Sequence, residues 1–476
     1  MTLARRQLLK SLALVGSGIG LGFNPIQGLA AAEVFPSKRP LAKKFTSKAV
    51  EETIQVLKAF LPDKELAWLF QNCYPNTLDT TVDFEIKDGK PDTFVITGDI
   101  KAMWLRDSSA QVWPYLSLAA KDGELQRLLE GVLRRQAQCI LIDPYANAFN
   151  KGKTGGGWKS DRTEMKPELH ERKWEIDSLC YPVRLAYGYW KQTGDALPLD
   201  ETWKKAAQRI VATFKQQQRK DDNGPYKFQR NTEVPTDTLP MGGYGNPTRK
   251  IGLIHSMFRP SDDACTFPFL IPANLFAVRS LFQLEEMALS VWKDQTLANE
   301  CKYLALEVQQ ALEQYGTVVH PVYGKIYAYE VDGYGNALLM DDANVPSLLS
   351  LPYLVGMDPA DAVYKNTRAF VLSLDNPFFY LGSAAQGIGG PHVGADMVWP
   401  LGIIMRGMTS VDSSEVTQCI KMLKASHAGT GFMHEAFHKN NPKEFTRTWF
   451  AWANTLFGEF ILKVYHENPQ LLQQQF

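Results

Sequence analysis

The stretch FRPSDDACTFPFLIPANLFAVRSL, residues 258–281, has two unlike halves. The first is a polar loop that carries Asp262 and Asp263 beside Arg259. The second is an apolar, helix-like run, and a helix that is apolar all round must be covered on every side. The same order, acidic loop and then apolar run, recurs in TGDIKAMWLRDSSAQVWPYLSLA (97–119), RKWEIDSLCYPVRLAYGYWKQTG (172–194) and DGYGNALLMDDANVPSLLSLPYL (332–354). Two further units are GIGGPHVGADMVWPLGIIMRGM (387–408) and FTRTWFAWANTLFGEFILKVY (445–465). Their marker residues Asp107, Asp177, Asp262, Asp342, Asp396 and Trp449 are 70, 85, 80, 54 and 53 residues apart. The six share a pattern, without the close similarity of a strict repeat.

Between the apolar runs lie more charged stretches with a single apolar face. In DGELQRLLEGVLRRQAQCILI (122–142), Leu125, Leu128, Leu129, Val132 and Leu133 fall at helical spacing. WKKAAQRIVATFKQQQRK (203–220) and LANECKYLALEVQQALEQYG (297–316) read the same way. Helices that need cover thus alternate with helices that give it. Six such pairs closed into a ring predict an all-α (α/α)6 toroid of six inner and six outer helices, its polar loops gathered at one end. Strand signals are few, and DTFVITGD and GKIYAYEVDGYG predict short β-hairpin pieces. An α-solenoid is the competing architecture. It calls for more uniform units and has no need of acids at corresponding loop ends.

The 476 residues are 45% hydrophobic and 21% charged, which predicts a large folded core rather than disorder. Lys plus Arg balances Asp plus Glu at 51 each, whereas a nucleic-acid binder carries a basic excess. The 11 Trp and 18 Tyr suit a ring-binding cleft as well as a core. Cys73, Cys139, Cys180, Cys265, Cys301 and Cys419 form no C-x-x-C pair and read as small buried hydrophobes. At the N-terminus Arg5 and Arg6 precede an apolar run, Leu8 to Phe23, and Ala30 and Ala32 then frame a cleavage site. Residues 1–32 are therefore read as a twin-arginine-type signal peptide, 33–45 as a linker and 46–476 as the catalytic domain. This predicts an exported protein, periplasmic or secreted. No other apolar run is long enough to span a bilayer, so no stable membrane insertion is expected after cleavage.

His434-Glu435-Ala436-Phe437-His438 matches the H-E-x-x-H pattern, in which one helix presents both histidines to zinc. Gly429 and Gly431 before it, and Asn440-Asn441-Pro442 after it, leave only about two turns of helix, too short to hold without strong packing. No third ligand stands out, so no metal and no cofactor is expected. Glu435 reads instead as a loop carboxylate facing the cleft of the ring. The other loops bring Asp107, Asp177, Asp262, Asp263, Asp341 and Asp342, together with Trp104, Arg106, Trp174, Arg259 and His392. Acids with aromatics and few lysines suit a neutral polyol. One protonated acid can serve a glycosidic oxygen while another carboxylate activates water. Any single acid can instead sit at a helix N-terminus, where the dipole favours it. The alternative function is a non-catalytic glycan-binding toroid with the acids as hydroxyl ligands. A lyase on the same scaffold would want a Tyr/His or Asn/His pair and a basic cleft.

Several of these stretches, taken in order, resemble glycoside hydrolase family 125. They are FVITGDIKAMWLRDSSAQV, IDPYANAFN, ERKWEIDSLCYP, FRPSDDACTFPFLIPANLFA, LMDDANVPSLLSLPYL, GTGFMHEAF and FTRTWFAWAN, and the likeness runs from about Thr46 to about Val464. The resemblance implies an exo-acting α-1,6-mannosidase that inverts configuration on an (α/α)6 toroid without a metal. It puts the general base at Glu435 and the general acid at Asp262 or Asp263, with Asp262 favoured. Their tasks predict unlike environments: the acid protonated near neutral pH, Glu435 ionised and open to water. The terminal mannose is expected among Trp104, Arg106, Asp107, Asp342 and His392, with Asn344 and His434 alongside. An α-mannoside glycan is the one partner implied, and the chain is expected to act as a monomer. His438 lies outside the family pattern, and Trp113 stands where the resemblance leads one to expect Arg.

Overall fold

In the computed structural model, which describes residues 35–476, the long helices fall into two sets that start differently. Gly123–Ile142, Glu201–Gln217, Gln295–Tyr315, Ala362–Val371 and Ser413–Ser426 each follow an aspartate, at 122, 200, 294, 361 and 412. In every case its carboxylate accepts a hydrogen bond from a first-turn N–H. Such caps satisfy donors the helix leaves unpaired, at about 1 kcal/mol each. Leu105–Val112, Asp177–Thr193, Ile271–Met287, Leu351–Val355, Pro400–Met408 and Ala451–Glu467 have no side-chain cap. These six are the apolar runs, and they form the inner ring.

The inner helices pack in chain order, the first on the second, the second on the third, the third on the fourth. The sixth packs on both the fifth and the first, and Gly402 of the fifth lies against Ala343 in the loop that opens the fourth. The outer helices are one-sided: in Gln295–Tyr315, Leu297, Ala298, Cys301, Leu304, Ala305, Val308, Ala311 and Leu312 are the buried face. The sixth outer position is filled from the N-terminus, by Lys64–Cys73 against Ala451–Glu467 with Lys48–Phe60 beside it. Contact there is close, since a Cβ at Gly458 would come within 2.5 Å of the Tyr74 ring. The predicted (α/α)6 toroid is the fold. Its short hairpins include Val82–Lys87 with Lys90–Val95, and Thr317–His320 with Gly324–Tyr327. Both predicted strand pieces supply such strands.

All six cysteines are buried and unpaired. Among the described residues no helix is long and apolar enough to cross a membrane. Trp113 does not reach the loop end of the ring. The Arg184 guanidinium lies 3.4 Å from its ring centroid, and its Nε1 donates to Glu459 at 3.1 Å.

The expected signal peptide, 1–32, lies outside the described residues. The expected linker differs from what is found, because Pro36 onward belongs to the same compact unit as the ring. Arg39 explains this. It forks onto Asp79 at 2.6 and 2.9 Å and onto Glu51 at 2.6 and 2.9 Å, fixing the segment to the first helices. Arg39→Ala would leave Asp79 buried without its cation. It should destabilise the protein by about 2–4 kcal/mol in urea unfolding. A loss below about 0.5 kcal/mol, the scale of an ordinary surface substitution, would make the segment a passive tail.

Candidate active site

The loops before the inner helices line a pocket at one end of the ring. Its wall takes Trp104, Arg106 and Asp107 from the first sector and Asp262 from the third. Asn344, His392 and Trp399 follow, and the last sector adds Glu435, Arg447, Phe450 and Trp452. Apolar rings and convergent polar groups in one concavity are the usual make-up of a small-ligand site.

Arg106 organises one side. Its Nη1 donates to Glu175 Oε2 at 2.6 Å and to Asp177 Oδ2 at 3.1 Å, and its Nη2 to Asp262 Oδ1 at 3.3 Å. Asp107 Oδ2 lies 3.7 Å from its Nε. Burial lifts Asp107 to about 6, against the pull of Arg106 and with the push of Asp262.

Asp262 and Asp263 are adjacent yet point to different places. Asp262 has φ +67, a left-handed conformation that aspartate tolerates better than most residues. Lys173 Nζ donates to its carbonyl at 2.7 Å, and Asn147 Nδ2 to its carboxylate at 3.4 Å. Its side chain is 26% exposed, towards the pocket. Asp263 is turned away, accepting from Ser261 Oγ at 3.0 Å and facing His392 Nδ1 at 3.7 Å. Burial alone would lower His392, but the facing Asp263 carboxylate and the charges of Asp262 and Glu435 raise it to about 9. Asp262 departs from the expectation of a protonated acid. Burial would raise it, but the charges of Arg106, Lys173 and His392 together hold it below the ordinary carboxylate range.

Glu435 stands across the pocket. Its Oε2 accepts from Thr446 Oγ1 at 2.9 Å, and Arg447 Nε lies 3.1 Å from its Oε1. No helix runs through His434 and His438. Phe437–His438 is a short strand, paired with Met397–Val398 and Asn441–Phe445. His434 is buried, stacked 3.9 Å from the Phe445 ring, with Nδ1 at 2.8 Å from the Arg447 carbonyl. Among the described residues no group of three or more His, Cys, Asp or Glu side chains is placed to hold a metal ion.

The profile of the family described as metal-independent alpha-mannosidase (GH125) matches residues 63–462. The chain belongs to glycoside hydrolase family 125. It is 43% identical over 460 residues to the meiotically up-regulated gene 157 protein of Schizosaccharomyces pombe, covering 92% of this chain and 90% of that protein. A metal-independent alpha-mannosidase structure from Streptococcus pneumoniae, a non-productive complex with alpha-1,6-mannobiose, matches with a TM-score of 0.85 at 40% identity. That match covers 89% of this chain and all (100%) of the other. The protein is thus a glycoside hydrolase of the α-mannosidase kind.

In this family 125 enzyme, Trp104, Arg106, Asp107, Asn344, His392, Asp262 and Glu435 meet in the pocket. Other expected contacts lie behind its wall. Trp174 is a core residue, its Nε1 donating to the His255 carbonyl at 2.7 Å. Asp177 is fully buried under Arg106. Arg259 Nε donates to Glu330 at 2.6 Å. Asp341 accepts from the Leu348 and Leu349 N–H groups at 2.8 and 3.0 Å, and so holds a turn. Asp342 is fully buried, and its Oδ1 accepts from Asn344 N and Nδ2 at 2.9 and 3.0 Å. It positions Asn344 rather than lining the pocket. His434 is behind the wall as described.

Sequence reasoning did not single out Glu175, Lys173, Asn147, Arg447, Trp399, Phe450 or Trp452. Glu175 was within reach, two residues before Asp177 in the stretch ERKWEIDSLCYP. Matching loops by one marker acid each gave that place to Asp177.

Asp107 yields a pH prediction. Its pKa of about 6 when folded exceeds the ordinary 3.8, so its contribution to stability is full below pH 3.8 and lost as pH rises through 6. Asp107→Asn should therefore gain on the order of 1–3 kcal/mol over the wild type above pH 7, and nothing near pH 3.5. Activity should fall, since the pocket loses a carboxylate. Denaturant unfolding at both pH values checks this, and an equal difference at each would refute it.

Proposed function

We propose that this α-mannosidase removes single α-1,6-linked mannose residues from non-reducing glycan ends with inversion of configuration. The observation that carries the reading is that Asp262 and Glu435 reach one pocket from different sectors in different settings. Asp262 leans on Arg106 and Asn147, and Glu435 on Thr446 and Arg447. The α-1,6 linkage rests on the family and on the sugar in the pneumococcal complex.

In the proposed reaction Glu435 takes a proton from water, whose oxygen attacks the anomeric carbon from the face opposite the leaving group. The electron pair of the glycosidic bond passes to the leaving oxygen, which receives a proton from Asp262. Inversion needs room for that water, so the two carboxyl groups work at roughly 6.5–9.5 Å rather than the about 5 Å of a retaining pair. Thr446 Oγ1 and the Arg447 guanidinium keep the Glu435 oxygens aimed. Export by the twin-arginine route is proposed from Arg5, Arg6 and the apolar run after them.

Proton NMR of the first product from α-1,6-mannobiose tests the stereochemistry. β-Mannose should appear before mutarotation, and α-mannose first would remove Glu435 from the water-activating role. A binder without catalysis would retain the sugar and release nothing. Glu435→Gln should lose turnover by a factor on the order of 10² or more while still binding substrate. EDTA should leave the wild-type rate unchanged, whereas a loss restored by zinc would overturn the scheme.

A further inference from the structure

Glu175 lies behind the pocket wall, with a fully buried side chain. Its Oε2 accepts from Arg106 Nη1 at 2.6 Å and from Ser178 Oγ at 2.7 Å. Its Oε1 receives no donor. Asp262 takes the neighbouring nitrogen of the same guanidinium, Arg106 Nη2 at 3.3 Å, so the two carboxyls are held side by side on one cation. Two carboxyl groups can share a hydrogen bond only if one of them carries a proton.

The balance of charge points the same way. Glu175, Asp177, Asp262 and Asp107 surround one guanidinium, Arg106. Lys173 is shared with Asp237 and Glu171, and reaches Asp262 at the backbone carbonyl. His392 faces Asp263. Tyr226 and Cys265, the other titratable groups near Glu175, are kept neutral by burial. Four acids in a dry site with so few cations do not all ionise. The proton stays where water is least able to stabilise a charge, and Glu175 is fully buried where Asp262 is 26% exposed. Burial, opposed by Arg106 and helped by Asp262 and Asp177, accordingly sets Glu175 well above the ordinary carboxylate range.

We infer that Glu175 and Asp262 act as one acid, in which Glu175 stores the proton that Asp262 delivers to the glycosidic oxygen. This rests on the proposed reading of Asp262 as the general acid. In the empty pocket water stabilises the Asp262 carboxylate, and the proton is on Glu175. A bound sugar displaces that water and makes Asp262 the better base than before. An O–H bond on Glu175 breaks as one forms on Asp262. The Asp262 proton then goes to the leaving oxygen as that oxygen takes the electron pair of the glycosidic bond. Both groups end as carboxylates, and when product leaves Glu435 releases to solvent the proton it took from the attacking water while the pair takes one back. Glu175 touches no substrate in this scheme and is a positioning residue.

Glu175→Gln keeps the shape and a donor towards Asp262, but has no proton to lend. With α-1,6-mannobiose, whose leaving group needs protonation, turnover should fall about 10²-fold. With dinitrophenyl α-mannoside, whose leaving group departs unprotonated, it should change less than about threefold. The basic limb of kcat/KM against pH should also move down in the variant. Equal losses on both substrates with an unmoved profile would make Glu175 merely structural and overturn the inference, as would wild-type turnover of mannobiose. If the variant does not fold, the wild type decides. Its basic limb on mannobiose must lie above the ordinary carboxylate value of about 4, and a limb at that value overturns the inference. A wild type that releases mannose from neither substrate instead sinks the proposed function, and needs no variant to show it.

Discussion

One guanidinium holds the loop end of the ring together. Arg106, on the first inner helix, bonds Glu175 and Asp177 of the second sector and Asp262 of the third. A buried cation is costly unless its donors are met, and removing it would strand acids that cost several kcal/mol to leave unpaired. Arginine suits the place because its planar fork reaches different partners from Nη1 and Nη2 at once, which a single ammonium does not. The pocket's acid–base character follows from this arrangement. The guanidinium offsets part of the negative charge, leaves the rest to be met by retained protons, and so separates the acids into charged and neutral members.

The two sets of helices divide the aspartates between them. Asp122, Asp200, Asp294, Asp361 and Asp412 are consumed as caps of outer helices. The inner helices leave their first N–H groups without side-chain caps, and those ends carry partial positive charge towards the loop end. Acids there face the pocket or one another. Where a loop acid does turn to backbone N–H groups, as Asp341 does, it is lost to the site and becomes part of the scaffold.

The alternation of apolar and one-sided helices was legible because burial imposes it residue by residue. The identity of the pocket acids was legible only in part, because that depends on turn geometry. Asp262 and Asp263 have the same chemistry and neighbouring positions, yet the left-handed backbone at Asp262 turns one towards the pocket and the other towards Ser261 and His392. Asp396 holds a marker position but pairs with Lys439 at 2.6 Å, and His392, four residues earlier, is the residue that reaches the pocket. The H-E-x-x-H pattern misleads for a similar reason. Its meaning requires a helix, and here the chain is extended, with one histidine stacked in the core and only Glu435 of the motif on the pocket wall.

A second buried cation shows what distinguishes the site from the scaffold. Arg184 and Glu459 sit seven and eight residues past the starts of their inner helices, about two turns from the loop end. The Arg184 guanidinium lies against the rings of Trp113 and Tyr353. Both Glu459 oxygens are met, by Trp113 Nε1 at 3.1 Å and Tyr353 OH at 2.8 Å. Around Arg106, by contrast, Glu175 Oε1, Asp177 Oδ1 and Arg106 Nε all lack a hydrogen-bond partner. Both clusters bury charge in the same ring, but only in the lower one does the carboxylate have both oxygens met. A satisfied network rigidifies a core, while an incompletely satisfied one is retained in a native protein when its unmet groups have another use. The three unmet groups around Arg106 lie at the end of the ring where Asp262 faces the pocket, which is where the proposed reaction needs a protonation state to change.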